Sequence, residues 1–165
     1  MSKNLYIMMG LPGSGKSYWL SKYALSDKII SRDKIRFEML KDGEGYFEHE
    51  KEVYNKYLEE IQKALDEGGD ECHVYADATH INKRSRHKLV YNLITEDVDI
   101  HVIFIDTPLS ECIKNNRKRK DRALVDDTII AEFAKRLEPP EDDSKGYRTI
   151  TRVKTYPRKK ITKNS

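Results

Sequence analysis

The sequence has few cysteines and no long apolar run, and we expect no secretory leader; each of these points excludes a class of proteins. Cys72 and Cys112 are its two cysteines and do not form a C-x-x-C motif, so we expect both thiols to be reduced and structural. No segment approaches the roughly 18 apolar residues that span a bilayer, so no membrane helix is predicted. The apolar run at residues 5–9 is too short for a signal-peptide core. We therefore expect a cytoplasmic protein without a membrane partner.

Acidic and basic residues are unevenly distributed, although the formal net charge is only +3. Residues 38–71 contain 12 acidic and 4 basic side chains, whereas residues 148–165 contain 7 basic side chains and no acidic one. Such a separation suggests an anionic partner on one side of the protein. A solvated acidic helix and a frayed basic tail explain the same pattern, so charge alone leaves both interpretations open.

Short apolar runs alternate with longer segments that resemble helices. Strands are predicted at residues 5–9, 28–31, 73–77, 101–106 and 147–153. Helices are predicted at residues 16–24, 33–40, 47–65, 83–94, 109–119 and 127–137. This alternation predicts parallel strands that are joined by crossover helices.

No internal repeat or low-complexity linker divides the chain, and its 165 residues are the length of one domain. We predict a single α/β domain at residues 1–157, with a five-stranded parallel sheet flanked by helices and a basic helical lid. Residues 158–165 are predicted to be a basic tail.

The segment GLPGSGKS, between the first predicted strand and helix, matches the phosphate-binding pattern G-x-x-x-x-G-K-[ST]. Its residues are Gly10, Leu11, Pro12, Gly13, Ser14, Gly15, Lys16 and Ser17. Gly13 and Gly15 let the loop curl so that its N–H groups face phosphate oxygens, and the following helix N-terminus adds a favourable field. Lys16 is predicted to bridge the terminal phosphates, and Ser17 to place its hydroxyl on Mg²⁺. The motif therefore predicts binding of a nucleoside triphosphate.

Asp33 lies just past the second predicted strand, in the segment SRDKIR. Open α/β folds bind ligands at the carboxyl ends of their strands, so Asp33 can face the γ-phosphate and accept the proton of an acceptor hydroxyl. Arg36 lies three residues on, hence on the same helical face, and is free to bind an anionic group of the acceptor. The alternative is that Asp33 caps this helix and pairs with Arg36.

The third strand ends in YADATH, where Asp77 follows an apolar stretch as a Walker B carboxylate does. Asp77 is predicted to reach Mg²⁺ directly or through water. Asp106, at the end of the fourth strand, is a rival for that role.

Residues 114–122 contain six basic side chains and one acidic side chain on a predicted helix. An arginine on a mobile lid can stabilise charge on a migrating phosphoryl group, and Arg117 and Arg119 are the candidates. A solvated basic helix and a surface for nucleic-acid phosphates are the other interpretations.

Several segments together resemble the kinase domain of 5′-polynucleotide kinases of the bacteriophage and DNA-repair types. They are GLPGSGKS, SRDKIR, DATHIN followed by Arg84 and Arg86, NNRKR, and EPPEDDSKGYRTI. The resemblance covers about residues 6–150. It implies that Asp33 is the general base, that Arg36 binds the acceptor phosphate, and that Arg119 is the lid arginine. It also implies that Asp77 and Thr79 lie beside the acceptor.

We therefore predict a P-loop kinase that transfers the γ-phosphate of ATP, with Mg²⁺, to a 5′-hydroxyl end of DNA or RNA. The predicted catalytic residues are Lys16, Asp33, Arg36 and Arg119, and Arg117 is predicted to help bind the nucleotide. One alternative is a P-loop kinase of a small molecule or nucleotide sugar. Another is an NTP-binding regulatory protein without transfer activity.

Overall fold

A parallel sheet of five strands organises the part of the chain that the computed structural model describes, which is residues 3–24, 27–119, 124–143 and 146–154. The strands are β1 (Lys3–Met9), β2 (Lys28–Ser31), β3 (Cys72–Asp77), β4 (Val98–Asp106) and β5 (Thr149–Lys154). Their order in the sheet is β2-β3-β1-β4-β5, and every neighbouring pair is parallel. The predicted five-stranded parallel α/β architecture is confirmed, whereas the predicted basic tail lies outside the described residues.

Helices connect these strands. They are α1 (Lys16–Tyr23), α2 (Arg32–Met39), α3 (Glu50–Glu67), α4 (Lys83–Tyr91), α5 (Leu109–Arg117) and α6 (Asp127–Arg136), with a short 3₁₀ turn at Pro140–Asp142. Each predicted helix is present, and its ends differ from the prediction by three residues at most. In the described ranges, no helix is both long enough and apolar enough to cross a membrane.

Strand β1 is buried on both faces of the sheet. Successive side chains of a strand point to opposite faces. Accordingly, Leu5, Ile7 and Met9 pack in a core with residues of α3, whereas Met8 packs on the other face with Leu20 of α1. The four β1 side chains and Leu20 are at most 2% exposed. This packing fixes the end of β1, from which the phosphate-binding loop begins.

Helix α3 separates its apolar and acidic residues onto opposite faces. Its buried residues are Val53, Tyr57, Ile61 and Leu65, which follow each other at the four-residue spacing of one helical face. The exposed acidic residues of the helix are Glu52, Glu59, Asp66 and Glu67. This part of the acidic segment is therefore a solvated helix face, which is the simpler of the two interpretations of the charge pattern.

A fully buried ion pair joins α4 to the segment that leads into β5. The side chains of Arg86 and Asp143 are both 0% exposed. Nε and Nη2 of Arg86 donate to the two carboxylate oxygens at 2.7 and 2.8 Å, and Nη1 donates to the carbonyl oxygen of His80 at 2.9 Å. The Tyr147 hydroxyl also donates to Asp143, at 2.6 Å. Arg86, one of the residues that carry the resemblance, is therefore a structural residue.

We expect Arg86→Met to lower the free energy of unfolding by about 3–5 kcal/mol, because it leaves a buried carboxylate without its cation. Arg84→Met is the matched control, since Arg84 is exposed on the same helix and its loss should change the free energy by less than about 0.5 kcal/mol. Denaturant unfolding of both variants measures the difference. Equal losses in the two variants would contradict the structural role.

The same pair has a defined pH dependence. Burial alone would raise the pKa of Asp143, but hydrogen bonds from Arg86 and Tyr147 outweigh burial and hold it below the ordinary value. A carboxyl whose pKa is lower in the folded state stabilises the fold above its unfolded pKa, about 3.9 for aspartate, and loses that contribution as the pH falls through the folded value. The difference in stability between wild type and Arg86→Met should therefore shrink below about pH 4.

Candidate active site

The loop between β1 and α1 is shaped by two glycines with left-handed backbone. Gly13 has φ 82° and Gly15 has φ 99°. A Cβ atom on Gly13 would lie 2.3 Å from the carbonyl oxygen of Cys112 in α5, so the loop needs glycine there for space as well as for conformation. Asn115, also in α5, donates to the carbonyl oxygen of Gly13 at 3.0 Å. Helix α5 thus holds the loop from one side.

Lys16 is the first residue of α1, and its ammonium group turns back over the loop. Nζ donates to the carbonyl oxygens of Gly10 at 3.0 Å and Leu11 at 3.2 Å. Burial lowers the pKa of Lys16 below its ordinary value, and the carboxylates of Asp77 and Asp33 oppose that shift. The positive charge therefore lies over the loop and close to both carboxylates.

Local features fit this loop to the phosphates of a nucleotide. The first turn of α1 contains no acidic residue and no side chain caps it, so its N–H groups are available to an anion. The hydroxyl of Ser14 is buried and has no hydrogen-bond partner in the described part of the chain. Lys16 adds a cation at the same place. A chain of phosphate oxygens would satisfy all these groups together.

Two carboxylates meet at the same edge of the sheet because β2 pairs with β3. In that pairing Ser31 lies opposite Asp77, the last residue of β3, and Asp33 follows in the first turn of α2. Both aspartates line a cavity of about 470 Å³, together with Lys16 and Arg119. The structure thus brings together four of the residues that the sequence predicts for the site.

Asp77 is better placed than Asp106 for a role near the phosphates. Asp77 lines the cavity with Lys16 and Ser17. Burial raises the pKa of Asp77 above its ordinary value, and Lys16 opposes that shift. Asp106 ends β4 and accepts a hydrogen bond from Arg152 at 2.9 Å. The geometry therefore favours Asp77 over its rival.

Asp33 is not the cap of α2. Ser31 is the cap, and its hydroxyl accepts a hydrogen bond from the backbone N–H of Lys34 at 3.2 Å. The side chain of Asp33 is 53% exposed, and its Oδ1 accepts hydrogen bonds from Arg36 and from the Tyr46 hydroxyl, the latter at 2.6 Å. The alternative interpretation held that Asp33 caps this helix and pairs with Arg36. The capping role is wrong, and the pairing with Arg36 is confirmed.

Arg36 is already paired within the protein, whereas the sequence led us to expect an unpaired guanidinium group. The residue is only 5% exposed. Its Nε and Nη2 donate to the two carboxylate oxygens of Glu50 at 2.7 and 3.0 Å, while Nη1 contacts Asp33 and the Tyr46 hydroxyl. The expectation failed because the partner, Glu50, lies 14 residues away along the chain. Whether Arg36 contacts an acceptor stays a prediction.

The two candidate arginines of the basic segment lie in different places. Helix α5 ends at Arg117, whose side chain is 70% exposed and donates to Asp127 at 2.8 Å. Arg119 lies two residues beyond the helix and lines the cavity. The structure thus groups Arg119, and not Arg117, with the other predicted residues. Residues 120–123 of this segment lie outside the described ranges.

The cavity lining contains large apolar side chains as well as charged ones. The apolar residues are Phe37, Leu40, Phe47, Leu124, Val125, Ile129 and Phe133. Phe47 and Leu124 are each 52% exposed. Thr79 also lines the cavity, and its carbonyl oxygen accepts a hydrogen bond from the N–H of Gly10 at 3.0 Å.

A family model described as an AAA domain matches residues 5–140, which is most of the chain. The chain belongs to this family. Among curated proteins, none matches the sequence. The AAA domain here has the fold of P-loop kinases, and that fold implies the binding of an ATP-like nucleotide.

Solved structures with the same fold include kinases of different kinds. A chain of the Pnkp1/Rnl/Hen1 RNA repair complex matches with a TM-score of 0.69 and 20% identity over 88% of this chain and 47% of that chain. A fungal RNA kinase matches with a TM-score of 0.63 and 14% identity over 97% of this chain and 80% of that chain. A gluconokinase from Sinorhizobium meliloti 1021 matches with a TM-score of 0.56 and 16% identity over 93% of this chain and 84% of that chain. The AAA domain thus spans less than half the length of the RNA repair chain.

Two site residues of this AAA domain were not predicted from its sequence, namely Tyr46 and Glu50. Tyr46 lies in the loop that joins α2 to α3, and burial and the nearby Asp33 raise its pKa, so that its hydroxyl stays a donor at neutral pH. Glu50 is one of many carboxylates in an acidic segment. The GEGYFE run at residues 43–48 interrupts the helical pattern with aromatic residues, and it was the available signal for Tyr46.

Proposed function

We propose that this protein transfers the γ-phosphate of ATP to a 5′-hydroxyl end of DNA or RNA. The observation that carries the proposal is the shared cavity, in which Asp33 faces the same space as Lys16 and Arg119. Phosphoryl transfer needs a group that orients the acceptor hydroxyl and positive charge near the migrating phosphoryl group. Structures named for RNA repair and RNA kinases share the fold and support a nucleic-acid acceptor.

The nucleotide side of the cavity uses the loop at residues 10–17 and the basic segment. Backbone N–H groups of the loop bind phosphate oxygens, Lys16 contacts the terminal phosphates, and Arg119 approaches from the turn after α5. Arg117, the last residue of α5, acts on the nucleotide only indirectly. Ser17 and Asp77 would hold Mg²⁺, with phosphate oxygens and water as the other ligands, because Mg²⁺ keeps several waters. When bound, the ion neutralises charge on the phosphates.

The acceptor side centres on Asp33. Arg36 and Tyr46 contact its Oδ1, which leaves Oδ2 to accept the proton of the acceptor hydroxyl. As that proton moves to Asp33, the hydroxyl oxygen forms a bond to the γ-phosphorus, and the bond from this phosphorus to the leaving oxygen of ADP breaks. Asp77 and Thr79 lie in the same cavity and border the acceptor.

A kinase of a small molecule is the second candidate. The observation in its favour is the same fold in a gluconokinase, together with a cavity of about 470 Å³ that suits a small alcohol. An NTP-binding regulatory protein is the third candidate, and it would use the nucleotide side of the cavity without transfer.

An acceptor panel with γ-labelled ATP separates these candidates. We expect label on 5′-hydroxyl oligonucleotides, with affinity that falls steeply with salt, at a slope of about −0.7 per phosphate contact for single strands. Lys16→Ala should abolish the label. Label on small alcohols such as gluconate, and none on oligonucleotides, would support the second candidate. No label on any acceptor, with slow ATP turnover, would support the third.

A further inference from the structure

The carboxylate of Asp33 needs contacts that orient it, because its side chain is half exposed. Ser31 caps α2, so the backbone of the helix does not hold the Asp33 side chain. A side chain in such a place has several rotamers, and each points its oxygens in a different direction. A general base must lie within hydrogen-bond reach of the proton that it takes. Other side chains must therefore keep this carboxylate in one orientation.

The hydroxyl of Tyr46 makes one such contact, and the direction of its hydrogen is fixed. Its oxygen lies 2.6 Å from Oδ1 of Asp33 and 2.6 Å from Nη1 of Arg36. A guanidinium group can only donate, so the hydroxyl oxygen accepts from Arg36 and its own hydrogen points to Asp33. Burial and the nearby carboxylate raise the pKa of Tyr46 above its ordinary value, which keeps this hydrogen in place at neutral pH.

Arg36 is the second donor to the same oxygen. Its Nε and Nη2 donate to Glu50 at 2.7 and 3.0 Å, and its Nη1 is shared between Asp33 and Tyr46. Loss of the Tyr46 hydroxyl would therefore leave Oδ1 with one side-chain donor in place of two. Because both donors contact Oδ1, Oδ2 is the oxygen directed to the acceptor.

The loop that contains Tyr46 is held by contacts that do not involve the hydroxyl. The carboxylate of Glu44 accepts from the backbone N–H of Lys41 at 2.8 Å and contacts the ring of His49. The Tyr46 ring packs edge-on against Phe47, with the ring centroids 4.7 Å apart. Phenylalanine at position 46 would keep the ring contact, so Tyr46→Phe removes only the hydroxyl.

We propose that Tyr46 is a positioning residue for the base: its hydroxyl holds Oδ1 of Asp33 and thereby directs Oδ2 to the acceptor hydroxyl. This inference rests on the proposed transfer, in which Asp33 takes the proton. Tyr46 neither gains nor loses a proton, and it acts on the reacting atoms only through Asp33. A hydrogen bond made within the protein orients the base without reorganisation during the reaction.

Tyr46→Phe tests the role of the hydroxyl. We expect kcat for the acceptor that takes the label to fall about 10- to 100-fold, because a small misplacement of a reacting group is costly. KM for ATP should stay within about twofold, since the change is made on the acceptor side. On an Asp33→Asn background, the same change should lower transfer by less than about twofold, because no base is left to orient. A general loss of structure would act on both backgrounds alike.

Tyr91→Phe is the control, since Tyr91 is 89% exposed at the end of α4. It should leave kcat and both KM values unchanged. The inference is overturned if Tyr46→Phe keeps kcat within about twofold of wild type. It is also overturned if the loss of transfer is as large on the Asp33→Asn background as in wild type.

A measurement without chemistry separates this inference from the proposed function. Denaturant unfolding of Tyr46→Phe, Asp33→Ala and the double variant gives the coupling between the two side chains. We expect the effect of Tyr46→Phe on the unfolding constant to be at least about threefold smaller on the Asp33→Ala background. Such coupling, with no label on any acceptor, would refute the proposed function and support the contact that orients Asp33. Additive effects would overturn the inference even if the acceptor panel shows transfer.

Discussion

Asp33→Asn is expected to lower phosphoryl transfer by about 10²- to 10⁴-fold, because an amide cannot take the proton of the acceptor hydroxyl. Nucleotide binding should survive, since the change is made outside the phosphate-binding loop. The fold should also survive. Ser31 caps α2, and Arg36 keeps both hydrogen bonds to Glu50, so the change at the half-exposed Asp33 leaves no buried cation without a partner.

Single-turnover rates with ATP and acceptor both saturating measure this effect, and ATP affinity is measured separately. Asp70→Asn is the control, because Asp70 is exposed in the loop before β3 and should leave both quantities unchanged. Near-normal transfer by Asp33→Asn under these conditions would remove the proton-acceptor role and leave Asp33 as a partner of Arg36 and Tyr46.

The sequence predicts the sheet of this protein well because its signals are local. Runs such as residues 101–106 are apolar on both faces, as a central parallel strand requires, and several of the turns between elements contain glycine or proline. The phosphate-binding loop is predicted for the same reason, since Gly13, Gly15 and Lys16 act within a single turn between β1 and α1. Strand order at the edge then brings Asp33 and Asp77 together.

The acceptor side is predicted poorly because its contacts join distant segments. Sequence places a helix at residues 47–65, which would put Glu50 inside the first turns, whereas the helix begins at Glu50 and directs this carboxylate to Arg36. Twelve acidic residues in the segment 38–71 give no local reason to choose this one. Tyr46 likewise contacts Asp33 across 13 residues of chain. Which residues contact Arg36 and Asp33 therefore depends on tertiary packing and not on the local sequence pattern.

In the basic segment, the position at which α5 ends decides how Arg117 and Arg119 are placed. The predicted helix runs to residue 119, which would place Arg117 and Arg119 on one continuous element. The observed helix ends at Arg117, and the backbone N–H of Arg119 bonds to the carbonyl oxygen of Asn116 at 2.9 Å in a tighter turn. Helix ends are the least certain part of a sequence-based prediction, and here two residues decide which arginine lines the cavity.

If Arg119 has the proposed role of stabilising charge that develops on the migrating phosphoryl group, Arg119→Ala is expected to lower kcat by about 10³-fold or more. Its loss should affect ATP affinity much less, since an interaction made mainly in the transition state contributes little to ground-state binding. Steady-state kcat with a saturating acceptor, compared with the dissociation constant for ATP, measures the two effects separately.

Arg117→Ala is the matched control for this prediction, because it removes the same charge two residues earlier. The Arg117 side chain is 70% exposed and pairs with Asp127, so an indirect role in nucleotide binding should cost only a few-fold in ATP affinity. A loss of kcat in Arg117→Ala as large as that in Arg119→Ala would mean that total positive charge, and not the position of one guanidinium group in the cavity, accelerates transfer. A large loss in Arg119→Ala alone would assign the transition-state role to the residue that the cavity geometry singles out.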